Sequence, residues 1–114
     1  MDKKLHIKEG GCRTVLDLGE IIYMEKYKSK IVVYTLQRQH RMYRSFSSLE
    51  NELDRRFMRP HESYIINMDF VRRIGEQEII LKTGTVLRFG VKCARRAKKA
   101  FDKYVAENRT KFIG

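Results

Sequence analysis

Short apolar runs separated by turn residues fill the first part of the chain. Leu5-His6-Ile7 leads to Glu9-Gly10-Gly11, and Cys12-Arg13-Thr14-Val15-Leu16 follows, a strand–turn–strand pattern. Asp17-Leu18-Gly19 interrupts the chain before Glu20-Ile21-Ile22-Tyr23-Met24-Glu25. The cationic tip Lys26-Tyr27-Lys28-Ser29-Lys30 then enters Ile31-Val32-Val33-Tyr34-Thr35-Leu36, whose β-branched residues suit a pleated, half-buried surface. Gln37-Arg38-Gln39-His40 reads as a turn into Met42-Tyr43-Arg44. These runs predict a meander of short antiparallel strands.

The period changes after Phe46. Ser47-Ser48-Leu49-Glu50 fits a capping box, and Leu49, Leu53 and Phe57 stand four apart, so the spacing predicts a short helix over about 47–57. Pro60 ends that face, because its ring forces the preceding residue into extended backbone. Ser63-Tyr64-Ile65-Ile66 is again a strand, Asn67-Met68-Asp69 a turn, and Phe70-Val71-Arg72-Arg73-Ile74 a short irregular piece. Glu78-Ile79-Ile80-Leu81 and Thr85-Val86-Leu87-Arg88-Phe89 flank Lys82-Thr83-Gly84 as a tight hairpin. A carboxyl-terminal helix over about 91–106 follows: Ala94, Ala97, Phe101 and Tyr104 recur at three- and four-residue steps, opposite Lys92, Arg95, Lys99 and Lys103. The pattern gives a mainly β domain over about 1–107 and a short tail at 108–114.

Charge sharpens this picture. The 114 residues carry 25 lysines and arginines against 14 acids, a net charge of +11. Residues 1–54 hold 10 basic and 8 acidic side chains, and residues 55–114 hold 15 and 6. A field concentrated in one half attracts polyanions and favours phosphate neutralisation with counterion release, whereas a charge serving solubility alone has no reason to concentrate. No apolar run reaches the roughly 20 residues that span a bilayer, and Met1-Asp2-Lys3-Lys4-Leu5-His6 lacks the apolar core of a signal peptide, so a cytoplasmic protein is expected. The apolar side of the last helix is too thin for membrane insertion. Cys12 and Cys93 stand far apart, no Cys/His pair has metal-ligand spacing, and both thiols read as small buried hydrophobes. No metal or other cofactor is expected. His61-Glu62 with His40 lacks the supporting carboxylates of a hydrolytic site, which argues against an enzyme; a histidine between two elements more often fixes a loop.

The ordered set Phe57-x-Arg59-x-His61-x-Ser63-Tyr64-Ile65-Ile66-Asn67, Val71, Ile74, Ile79-x-Leu81 and Gly84, followed by a strand into a basic helix, resembles the LytTR family of bacterial DNA-binding domains, usually found in two-component response regulators. Glu20-Ile21-Ile22-Tyr23-Met24-Glu25 and Ser48-Leu49-x-x-Glu52-Leu53 fall where that family has them. The resemblance covers nearly the whole chain and implies an elongated sandwich of small, mostly antiparallel sheets. It implies a transcriptional regulator that puts loops rather than a recognition helix into the major groove. It implies promoter direct repeats in double-stranded DNA, with two protomers side by side.

Carried onto this sequence, the resemblance places three loops at the bases. One gives Lys30, with Lys28 and Ser29 beside it; the second gives Glu62, with Ser63 for a phosphate; the third gives Val91 and Lys92, with Arg95 a turn further on. Arg59, Lys28, Lys92 and Arg95 are expected to position the protein on phosphates, and Lys30 and Glu62 to discriminate bases. Arg55 and Arg56 are expected to be mostly solvated. Two departures stand out. Val91 sits where a base-reading arginine is common, so either Lys92 substitutes as a point charge or Val91 touches a thymine methyl. Glu62 either accepts from cytosine N4 or restrains Arg59. These departures motivate the rival reading, an interaction module that partners or antagonises a full-length regulator. An RNA-binding β domain is the weaker rival, since the aromatic residues lie mainly in apolar runs. No receiver sequence precedes Met1, so the expectation is either a stand-alone regulator or an excised effector domain, with Met1 favouring the former. A stand-alone form would be controlled by abundance, occupancy or a partner.

Overall fold

A five-stranded antiparallel sheet forms the middle layer of the computed structural model, which describes residues 3–108. The chain enters it from a separate hairpin, β1 (Lys4–Glu9) with β2 (Cys12–Asp17). It then builds β3 (Ile21–Tyr27), β4 (Lys30–Thr35) and β5 (Gln39–Met42), and returns as β6 (Phe57–His61) and β7 (Tyr64–Asn67). The spatial order is β5-β4-β3-β7-β6. A three-stranded sheet follows from β8 (Val71–Ile74), β9 (Glu78–Leu81) and β10 (Val86–Arg88), ordered β10-β9-β8, and α1 (Val91–Glu107) closes the fold.

The middle sheet is covered on both faces, and this explains its sequence. Strands with one wet face alternate apolar and polar; strands buried on both faces read as continuous apolar runs. Ile21-Ile22-Tyr23-Met24 and Ile65-Ile66 are buried throughout. Ile65 joins Met24, Ile31, Val33 and Met42 in a first core beneath the β1–β2 hairpin, with Leu5, Ile7, Leu16 and Leu49. Ile66 joins Ile22, Tyr23 and Met58 in a second core against Val71, Ile79, Leu81, Ala97 and Tyr104. Strict alternation would send Ile22 and Tyr23 to opposite faces; a register shift between Ile21 and Tyr23 lets both enter the second core. Fully buried Asn67 fastens that irregularity. Its Nδ2 donates to the Ile21 carbonyl at 2.8 Å and its Oδ1 accepts from the Asp69 N–H at 2.9 Å, so both ends of its buried amide have a partner.

The mainly β sandwich of small antiparallel sheets with a carboxyl-terminal helix is the architecture expected, and several local expectations need correction. The helix predicted over 47–57 is a 3-10 turn, Ser47–Leu49, followed by turns. Leu49, Leu53 and Phe57 do pack on the first core, but from a turn, a loop and a strand. The segment is too short to sustain an isolated helix, and Asp54 ends it by accepting from the Arg56 N–H at 3.1 Å. The capping box is absent: Ser48 instead donates to the Ser45 carbonyl at 2.7 Å, and Arg44 pairs with Glu52. Phe57–His61, expected to mix helix end and loop, is an edge strand, where Pro60 forfeits no ladder hydrogen bond. Gln39 and His40, expected in a turn, already belong to β5, which pairs with β4 and ends at Met42 rather than running on to Arg44. Arg56 is not solvated: its Nε and Nη2 each donate to Asp54 at 2.9 Å. Cys12 is exposed, so it is no core residue, whereas Cys93 is half-buried and packs against the second core. Of the tail expected at 108–114, only Asn108 lies among the described residues, and it caps α1 through Nδ2 to the Tyr104 carbonyl at 2.9 Å. Among the described residues no helix is long and apolar enough to cross a membrane.

Candidate nucleic-acid interface

β3 and β4 run past the end of β7, whose last cross-strand pair with β3 is Tyr64 opposite Glu25. Beyond that pair, Lys26 to Lys30 form a projecting arm closed by a two-residue turn, since Tyr27 faces Lys30. The turn needs a left-handed residue, and Lys28 supplies it at φ 58°, a region where side chains crowd the backbone. Tyr27, 55% exposed, collects the cations of the tip: the Lys28 and Lys30 ammonium groups lie 5.7 and 5.8 Å from its ring centre. Ser29 is exposed at the tip, and Lys30 is half-buried as the first residue of β4.

The β6–β7 connection is the second loop. His61 Nδ1 accepts from the Ser63 N–H at 3.0 Å, the loop-fixing role expected for this histidine. Arg59 lies over the Phe46 ring at 5.0 Å and donates from Nη2 to the Glu62 carbonyl at 3.0 Å. That bond uses the backbone oxygen, leaving the exposed Glu62 side chain a separate role from holding Arg59. The Lys26 N–H donates to the Ser63 carbonyl at 2.8 Å and joins this loop to the arm. Lys26, Lys28, Arg59, Glu62 and Ser63 thus line one polar cleft of ≈ 210 Å³. Three cations around one carboxylate and one hydroxyl form an electropositive pocket suited to an anion's oxygens.

The start of α1 is the third place. Gly90 is its N-cap and provides no side-chain hydrogen bond, so the first backbone N–H groups point outward beside exposed Val91, Lys92 and Arg95. Two contacts fix the helix near the second loop. Arg96 Nη1 donates to the Pro60 carbonyl at 3.0 Å, and the Phe89 ring meets Tyr64 edge-on at 5.1 Å.

The structure therefore gathers Lys28, Arg59, Glu62 and Ser63 around one cleft and leaves Ser29 and Lys30 at the arm's tip. Val91, Lys92 and Arg95 stand at a helix start tied to the same loop. Lys26 and Tyr27 were missed as site residues, although both belong to the cationic run Lys26–Lys30. Glu25 was missed too, because its partners Tyr34 and Tyr64 are distant in sequence.

A second polar cluster lies at the other hairpin. Glu9 Oε1 stands 3.1 Å from His40 Nδ1 and 3.1 Å from Arg38 Nη2, while Oε2 accepts the Arg41 N–H at 2.7 Å. Burial pushes the Glu9 carboxyl up, yet the Arg41 N–H, His40 and Arg38 together outweigh it and hold it below the usual range. The contacts clamp β1 onto β5, and among the described residues no group of three or more His, Cys, Asp or Glu is placed for a metal.

Comparison with known proteins bears on the fold and the family. A family model described as LytTr DNA-binding domain matches residues 12–105. No curated protein matches. Among solved structures, the chain is similar to the LytTr DNA-binding domain of a protein described as a methyl-accepting/DNA response regulator from Bacillus cereus, with a TM-score of 0.74 and 17% identity over 88% of this chain and 97% of that one. At that identity the likeness carries the fold, while the match to the family model carries the family. The chain belongs to the LytTr DNA-binding domain family, whose members bind DNA in the regulation of transcription.

Proposed function

We propose that this domain binds promoter DNA sequence-specifically at short direct repeats, two copies side by side, by setting three loops into the major groove. The carrying observation is the cleft where Lys26, Lys28, Arg59, Glu62 and Ser63 converge from two loops. A duplex offers regularly spaced phosphate oxygens, and a cleft that holds three cations beside a hydroxyl donor matches such a group. Lys28, Arg59, Lys92 and Arg95 neutralise phosphates, with Ser63 as a neutral donor. Lys30 and Glu62 read base edges, and Glu62 accepts from a cytosine N4. Val91, 42% exposed at the helix start, meets a thymine methyl while Lys92 provides the charge.

Selection of bound duplexes from a random pool at several salt concentrations tests this reading. The expected result is an enriched, directly repeated motif together with a steep salt slope. A steep slope with no motif would leave a non-specific polyanion binder, and no binding would favour a module that partners a full-length regulator. Lys28→Ala should lower the magnitude of the salt slope by about 1 while leaving the motif in place. Glu62→Gln should change the motif, and an unaltered one would remove Glu62 from base reading.

A further inference from the structure

Tyr64 opens β7, and its side chain makes contacts in the direction of all three loops. Its hydroxyl donates to Glu25 Oε2 at 2.9 Å, where β3 leaves the sheet to become the arm. Its ring lies 5.9 Å from that of His61, which precedes Glu62, and 5.1 Å from that of Phe89, two residues before Val91. The other oxygen of Glu25 is approached by the Tyr34 hydroxyl at 3.4 Å, from β4. The Glu25 carboxylate thus sits between hydroxyls from the strands on both sides of β3. Tyr23 extends the cluster, stacked on Tyr34 with ring centres 4.2 Å apart.

We infer that Tyr64 and Glu25 are positioning residues: their hydrogen bond sets the angle at which the Lys26–Lys30 arm leaves the sheet, and so its register with the β6–β7 loop and the start of α1. This role rests on the DNA reading above. The location carries the argument. Glu25–Tyr64 is the last β3–β7 pair, and past it the arm is tied back to the second loop by the single backbone bond from Lys26 to Ser63. An apolar pair here would bury surface without direction, whereas a hydroxyl donating to a carboxylate fixes distance and angle. Burial, then the bond to Glu25, pushes the Tyr64 hydroxyl up to about 12, so it remains a donor at neutral pH. Three loops on separate elements read one site only if their spacing matches the groove, and a sub-ångström error at a support becomes a larger one at the tip.

The test compares the whole chain with Tyr64→Phe, Glu25→Ala and Glu25→Gln in duplex selection, in equilibrium binding to the selected and to an unrelated duplex, and in thermal melting. Tyr64→Phe keeps the ring and removes the bond. Glu25→Ala and Glu25→Gln carry equal charge, but only glutamine retains an oxygen that accepts from Tyr64. Tyr64→Phe and Glu25→Ala are expected to bind the selected duplex about five- to tenfold more weakly, with the unrelated duplex changed less than about twofold. Their enriched motifs should lose definition at the bases facing the arm and keep it elsewhere. Glu25→Gln should recover most of the loss. Should Tyr64→Phe fail to fold, the two Glu25 variants carry the comparison. The proposal is overturned by wild-type affinity and motif in the bond-breaking variants, by equal losses on both duplexes, or by alanine and glutamine behaving alike. A wild-type chain that enriches no motif overturns the DNA reading itself, and this role with it.

Discussion

The two hairpins at the ends of the first core are built to one plan and used differently. Each closes with a two-residue turn: Glu9 faces Cys12 across Gly10-Gly11, and Tyr27 faces Lys30 across Lys28-Ser29. The first meets the demand for left-handed backbone with glycines at φ 56° and 78°; the second places Lys28 at φ 58°. The first is clamped flat to β5 through Glu9, whereas the second projects beyond its neighbouring strand and carries exposed cations on an exposed tyrosine. A lysine where glycine would be relaxed is a local cost that only something other than folding can justify. The difference marks the first hairpin as scaffold and the second as a contact surface.

Substitutions at four positions bear on that contrast. Removing the clamp should have the largest effect: Glu9→Ala is expected to destabilise by about 1.5–3 kcal/mol in chemical denaturation, while the selected DNA motif survives. The sign in pH follows from the lowered Glu9 pKa. Its contribution is complete above the ordinary carboxylate range and disappears as pH falls through the lower folded value, so the acid limb of stability should be shallower in Glu9→Gln. Next, Gly11→Ala should cost about 1–2 kcal/mol, since nothing lies within 4 Å of the added Cβ and the penalty is torsional. Lys28→Gly should go the other way, gaining about 0.5–1 kcal/mol of stability while weakening DNA binding roughly threefold to tenfold near 0.1 M salt. A Lys28→Gly protein that is less stable, or that binds DNA as before, would erase the contrast. The smallest effect is expected for Tyr27→Ala, about threefold in affinity with stability within about 0.5 kcal/mol, because that ring is largely outside the core.

How much of this was visible beforehand depended on burial. β3, β4 and β7 were legible because layers on both sides leave few polar residues in Ile21–Met24, Ile31–Val33 and Ile65–Ile66. β6 was not legible: an edge strand tolerates Pro60 and exposed Arg59, so it lacks the signature of a strand. The mistaken helix had a similar origin, because Leu49, Leu53 and Phe57 reach the same core from three different local structures, and their four-residue spacing mimics a helix face. In the site, Arg59 and Ser63 came from the ordered motif and Lys28 and Glu62 from positions carried over with the resemblance, and the structure brings all of them around one cleft. Glu25 and Tyr27 were not legible as part of it. A single carboxylate in a strand has no spacing to recognise, and its two hydroxyl partners come from strands joined only by the fold. Asn67 lies between: it belongs to the motif, yet its task of satisfying the Ile21 carbonyl at a register shift follows only from the sheet.

The contrast between hairpins is tested most directly by amide hydrogen exchange across the chain, free and bound to its selected duplex. The account predicts slowed exchange at Lys26–Lys30, at Glu62–Ser63 and over the first turn of α1, with Glu9–Cys12 unchanged. Protection concentrated at the Gly10-Gly11 hairpin, or confined to the helix while the Lys28 arm exchanges freely, would contradict it.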